Sequence, residues 1–216
     1  MSELSLPARA YLLACDTARA RLPDRERVAL LVRAAAWTDL VLRGRVADDG
    51  GRPVVAGAGG TGHLVLDDVL AELAADPHRK WRARVRRGAR ETLRSLEAQL
   101  DAAGVITLRT SRVLGLFPRR RPAVREPARA AALRDEVRAA LRSDTPVSAD
   151  VAALTALAAA VELGAVLPRA ERRRHRDRLA WLEEQAGTAV PALRKVIREL
   201  HAARAARTAA ASGGGG

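Results

Sequence analysis

Between His78 and Arg94 the chain carries Arg79, Lys80, Arg82, Arg84, Arg86, Arg87, Arg90 and Arg94 against a single acid, Glu91. A guanidinium presents paired N–H donors that match phosphate oxygens, so such a run can bind a phosphoanion as well as stand as a solvated face. On a continuous helix Arg87, Arg90 and Arg94 fall at i, i+3 and i+7 and share one face. Arg33 lies inside an apolar helical stretch with Trp37 four residues on. That spacing suits a cation–π contact and suits ordinary core packing equally. Two further basic clusters are Arg119, Arg120, Arg121 and Arg125, and Arg169 to Arg178, the second interleaved with Glu171 and Asp177.

Other chemistries find little support. His63, His78, His175 and His201 have no metal-ligand spacing and none lies beside a cysteine. Asp67 and Asp68 are neighbours on a predicted helix and point to different faces, which argues against a shared proton; Asp68 and Glu72 read as solvated acids. Gly57 to Gly62 is rich in glycine but lacks a following Lys-Ser/Thr and a strand-to-helix setting, so it reads as a linker. Cys15 is the single cysteine, sits in an apolar run, and excludes an intramolecular disulfide. No triad can be argued from spacing. The expectation is a non-enzyme with no catalytic residue, no metal and no cofactor.

These side chains must be held by helices. Hydrophobic residues make up 48% of the 216, mostly Ala, Leu and Val, and aromatics are three Trp, one Tyr and one Phe. Ala and Leu are strong helix formers. The predicted fold is mainly α: a single compact helical domain over residues 1–207, with one or two β-hairpins, one of them protruding, and a disordered tail at 208–216. Helices are expected over 4–20, 25–42, 64–75, 79–103, 128–143, 147–163, 168–186 and 189–207. Asp24 is placed to cap the second helix and Gly44 to end it. Residues 148–163 are nearly all apolar and predict a central buried helix. A small hairpin is expected over 45–56, turning at Asp48–Gly51. A second is expected from strands 105–108 and 113–117 joined at Arg109–Arg112, followed by an exposed Pro- and Arg-rich loop at 118–127. The order helix, Gly, strand, turn, strand thus occurs twice.

The formal net charge is +13. Such a field favours polyanions: nucleic acid, an anionic membrane surface or an acidic partner. Scarce aromatics disfavour single-strand binding, since stacking platforms are few, and leave duplex backbone binding open. No signal peptide is read at the N-terminus, and the longest apolar run, Val151 to Val161, is too short to span a bilayer. The expected location is cytoplasmic, with any membrane contact peripheral.

Several short segments, in order, resemble the Golgi phosphoprotein 3 family, the phosphatidylinositol 4-phosphate-binding domain with many bacterial members. They are Leu4-Ser5-Leu6 with Leu12-Leu13, Arg33 through Leu42-Arg43-Gly44-Arg45-Val46, Gly60-Thr61-Gly62 into Leu64–Leu70, Gly104-Val105-Ile106-Thr107, Leu116-Phe117 with Pro122, and Ala153-Leu154 through Val166-Leu167. The resemblance implies a mainly helical domain with a protruding hairpin and a shallow basic headgroup pocket built from one Trp and three Arg. Position by position it implies Arg33 and Arg90 as headgroup ligands. The third arginine falls on Leu93, so that Arg94 or Arg87 would substitute. The tryptophan falls on Asp24, a carboxylate that repels phosphate and bears directly on selectivity for the 4-phosphate. Phe117 and Arg119–Arg121 would lie near the membrane or a partner subunit, with homo-oligomer formation through the hairpin at 105–117. The resulting expectation is a peripheral membrane protein binding anionic phospholipid headgroups. The alternatives are a winged-helix-like DNA binder, from the helix–Gly–hairpin order and the charge, and a helical adaptor for an acidic protein.

Overall fold

The computed structural model describes residues 4–113 and 117–213, with side chains described for 4–109 and 121–210. The described residues form ten helices and two separate two-stranded antiparallel hairpins, a mainly α fold as the composition predicts.

Helix α1 (Leu6–Ala14) is buried at every position but Arg9. Its first N–H, that of Leu6, donates to Asp39 Oδ2 at 2.8 Å, so a side chain of the next helix supplies the missing cap. The helix is shorter than the expected 4–20. Asp16 takes the Arg19 N–H at 3.1 Å and pairs with Arg21 through two backbone hydrogen bonds, which turns the chain at 16–21. A short acidic side chain competes with helix in this way. The buried Cys15 thiol, at the start of that turn, is pushed up to about 12 by burial.

Helix α2 (Arg25–Leu42) is the axis of the domain, with Val28 to Leu40 all buried. Asp24 caps it, accepting from the Arg27 N–H at 3.1 Å. It ends in a Schellman turn: the Arg45 N–H reaches Leu40 O at 2.8 Å, the Gly44 N–H reaches Val41 O at 2.9 Å, and Gly44 has φ +65°. Strands β1 (Val46–Asp49) and β2 (Arg52–Val55) follow, turning at Gly50-Gly51 with both φ positive, the twist a two-residue hairpin requires. Helix α3 (Leu64–Ala75) then buries Val65, Leu66, Val69 and Leu73.

The expected long basic helix over 79–103 is two helices, α4 (Trp81–Arg86) and α5 (Ala89–Ala102). The break falls at Arg87-Gly88, with Arg87 extended and Gly88 at φ +72°. A Cβ on Gly88 would stand 3.3 Å from the Arg33 guanidinium carbon. The backbone therefore passes close over Arg33, and glycine gives both the left-handed turn and the room.

Helix α5 ends as α2 does: Gly104 has φ +69° and the Val105 N–H reaches Leu100 O at 2.9 Å. Strands β3 (Ile106–Val113) and β4 (Phe117–Val124) form a longer hairpin than expected, in register from Ile106↔Val124 to Val113↔Phe117. Arg109–Arg112 is strand rather than turn, and the expected loop at 118–127 is mostly β4. Pro118 and Pro122 fit because they share a parity. The Arg125 N–H bonds to Val105 O at 3.1 Å, which puts odd-numbered residues at hydrogen-bonded positions and both prolines between them.

Helix α6 (Pro127–Arg142) leads to α7 (Ala149–Ala160), where Ala152 to Ala160 are all buried, as their composition predicts. The expected helix at 168–186 is α8 (Arg169–Arg174) and α9 (Arg176–Ala186), interrupted at His175. Helix α10 (Ala189–Gly213) runs past Arg207, the expected end of the domain. It packs on α2, α4, α7 and α9. Its small residues allow the close approach that so Ala-rich a bundle needs.

Candidate anion-binding surface

The arginines singled out by sequence divide into a buried set and an exposed set. Arg33, in the middle of α2, is 1% exposed. Its Nε donates to Arg84 O at 3.1 Å, and Nη1 donates to Thr92 Oγ1 at 2.9 Å and Glu72 Oε1 at 3.2 Å. Its Nη2 completes the pair with Glu72 Oε2. The guanidinium lies 5.3 Å from the Trp37 ring centroid, and Trp37 itself is fully buried, so the cation–π contact and the core role hold together. Glu72, expected as a solvated acid, is the counter-ion of this arginine. Arg84 joins the same cluster, 3% exposed and 5.8 Å from the Trp37 centroid. It donates to Glu72 O at 3.3 Å, while Nε and Nη2 have no partner among the described residues. Burial drives its pKa down. Two guanidiniums thus share one ring and one residue, Glu72, Arg33 through its carboxylate and Arg84 through its main-chain carbonyl, and their role here is to join α2, α3, α4 and the start of α5.

The exposed set stands where α2 and α5 begin. Arg90, in the first turn of α5, is 80% exposed at its side chain and reaches Glu26 only at 4.0 Å. Arg94, one turn on, is 61% exposed and pairs with Glu91 at 2.9 Å. Gly88 gives α5 no side-chain cap, so its first N–H groups add partial positive charge beside Arg90. Arg25 lies alongside, donating to both oxygens of the fully buried Glu97, at 2.7 and 2.5 Å. A cleft of about 460 Å³ is lined by Arg25, Glu26, Ala29, Arg90, Glu91, Leu93 and Arg94. A second, of about 410 Å³, runs from Arg86, Gly88 and Arg90 to Val196, Leu200, Ala203 and Arg207 of α10. Arg90, Glu26, Ala29 and Glu91 line both.

Asp24, where a tryptophan was implied, is not a bare charge. Arg204 of α10 donates to its Oδ2 at 2.6 Å and Oδ1 at 3.1 Å, and to Glu26 Oε2 at 2.8 Å. Arg204 is the largest cause holding the Asp24 carboxyl below its ordinary range.

Of the four arginines expected at a headgroup site, the fold brings Arg90 and Arg94 together on one exposed face. Arg33 is inside the protein. Arg87 sits in the extended break between α4 and α5, so it does not share the α5 face as a continuous helix would require. Arg121 lies on β4 directly opposite Arg109, both exposed, rather than at a hairpin tip. Phe117, Arg119 and Arg120 are on the same strand by register, and their side chains lie outside the described residues. Arg25, Arg204 and Arg207 line or brace the clefts and were not singled out, and Arg86 was named only as part of the basic run. Arg25 could have been found from its place beside the Asp24 cap. Nothing local marks Arg204 or Arg207 in an Ala-rich tail. Among the described residues no group of three His, Cys, Asp or Glu could hold a metal.

The model of the Golgi phosphoprotein 3 (GPP34) family matches residues 6–200, most of the chain. No curated protein matches it. The chain belongs to the Golgi phosphoprotein 3 family.

Proposed function

We propose that this member of the Golgi phosphoprotein 3 family is a non-enzymatic peripheral membrane protein that binds anionic phospholipid headgroups, phosphatidylinositol 4-phosphate among them. The observation that carries the reading is the exposed Arg90–Arg94 face beside the uncapped start of α5. Two guanidiniums, a positive helix end and a flanking cleft converge there, a combination suited to a phosphate that remains partly in water. Among the described residues no helix is long and apolar enough to cross a membrane, which fits attachment from the surface. Arg33 acts from beneath: it fixes Thr92 and the Gly88 turn, and so sets where the first turn of α5 points.

The test is flotation of the full chain with phosphatidylcholine vesicles containing either phosphatidylinositol 4-phosphate or phosphatidylserine at matched surface charge. Removing one arginine at an anionic surface costs about 1 kcal/mol. Arg90→Ala and Arg94→Ala together should therefore weaken binding by well over tenfold, with the melting temperature unchanged. Equal binding by wild type and the double variant would refute the site. Loss of binding when duplex DNA is added with a steep salt dependence and a sequence preference would favour a nucleic-acid reading instead.

A further inference from the structure

Asp24 caps α2 and Glu26 stands in its first turn; Glu26 lines both clefts where a phosphate would sit, and Asp24, outside their lining, is joined to Glu26 through Arg204. Left alone they would oppose an anion. We propose that Arg204, on the C-terminal helix, is a positioning residue for the headgroup site, which makes this end of the clefts accept an anion by cancelling Asp24 and Glu26. The proposal rests on the lipid-binding reading above and adds α10 to the site that α2 and α5 begin.

The geometry supports cancellation rather than direct contact. Both terminal nitrogens of Arg204 are engaged: Nη1 on Asp24 Oδ2, and Nη2 on Asp24 Oδ1 and Glu26 Oε2. A two-point grip of this kind holds the carboxylates in a fixed plane. Glu26 turns its other oxygen, Oε1, toward Arg90 at 4.0 Å, so Arg204 also limits how much of the Arg90 charge Glu26 absorbs. Arg207, one turn later on α10, lines the cleft shared with Arg90. An arginine that discharges α2 and one that faces the cleft thus come from a single helix turn.

The test compares three variants of the full chain on phosphatidylcholine vesicles containing phosphatidylinositol 4-phosphate: Arg204→Gln, Asp24→Asn and Arg90→Ala. Arg204→Gln exposes two carboxylates and should weaken binding about fivefold, the effect of one elementary charge at an anionic surface. Asp24→Asn keeps a good helix cap, removes a negative charge and should strengthen binding by a similar factor. Both variants break the same ion pair, so a merely structural role would move them in the same direction, and electrostatic cancellation moves them in opposite directions. Binding weakened in both, or unchanged in both, overturns the proposal, while loss in Arg90→Ala leaves the lipid-binding reading standing. If wild type does not bind, or Arg90→Ala binds as wild type does, the reading fails and the proposal with it. Should Arg204→Gln not fold, Asp24→Asn decides alone: a gain supports the proposal, and no change or a loss overturns it.

Discussion

Arg33 and Arg90 are the two arginines that the family resemblance assigns to one ligand, and the structure predicts opposite consequences for removing them. Arg33→Ala takes away a guanidinium 1% exposed that serves Glu72, Thr92 and the Arg84 carbonyl. Breaking a buried ion pair by deleting one partner costs about 3–5 kcal/mol. Glu72 is 44% exposed and can return to water, which pulls the figure toward the lower end; the cavity under Trp37 pushes it back. We expect about 3 kcal/mol, or a fall in melting temperature of roughly 6–12 °C for a domain of this size. Arg90→Ala removes a side chain 80% exposed with one distant partner, and should change stability by no more than about 0.5 kcal/mol. Thermal melts by circular dichroism, run beside vesicle flotation at a temperature where both variants are folded, separate the two. Arg33→Ala should melt early and bind more weakly because the start of α5 loosens; Arg90→Ala should melt as wild type and bind poorly. A wild-type melting temperature for Arg33→Ala with binding abolished would refute the assignment of Arg33 to the core.

Three further outcomes follow from the same geometry. Arg84→Met should be neutral to within about 1 kcal/mol in chemical denaturation, because two unpartnered buried nitrogens leave with the charge; a larger loss would show that its contact with Trp37 outweighs burial. Gly88→Ala should destabilise by about 1–2 kcal/mol or more, since the left-handed backbone disfavours a Cβ and the Arg33 guanidinium crowds it, and a melt unchanged from wild type would refute that strain. The Asp24–Arg204 pair should show in stability against pH. The folded carboxyl titrates below its unfolded value, so its contribution is complete above about pH 3.9 and is lost as pH falls through the folded pKa. Melting temperatures of wild type and Arg204→Gln should therefore differ near neutral pH and draw together in acid; a gap that does not shrink as pH falls below about 3.9 would refute the linkage.

Much of the chain was legible locally. Ala- and Leu-rich segments with an apolar face became helices because helix propensity and burial point the same way there, as at 25–42 and 149–160. Asp24 as a cap and Gly44 and Gly104 as stops were readable because each acts on backbone groups within a few residues. A second hairpin was legible, but its extent over 106–124 was not, because proline and arginine suggest loop, and only the partner strand shows that both prolines avoid the hydrogen-bonded positions.

The type and local spacing of the arginines determined that this chain could bind an anion, but not which arginines are free to do so. A guanidinium reads the same whether it is buried on a carboxylate or standing in water. Arg33 is interior because Glu72 comes from another helix to meet it, and the helix over 79–103 breaks at Gly88 because its backbone must clear that guanidinium. Asp24 is paired with the guanidinium of Arg204, 180 residues away. Propensity and capping are decided within one turn of backbone. Charge, burial and ion pairing are decided by what the rest of the chain brings alongside, and only the tertiary structure separates the arginines that support this surface from those that present it.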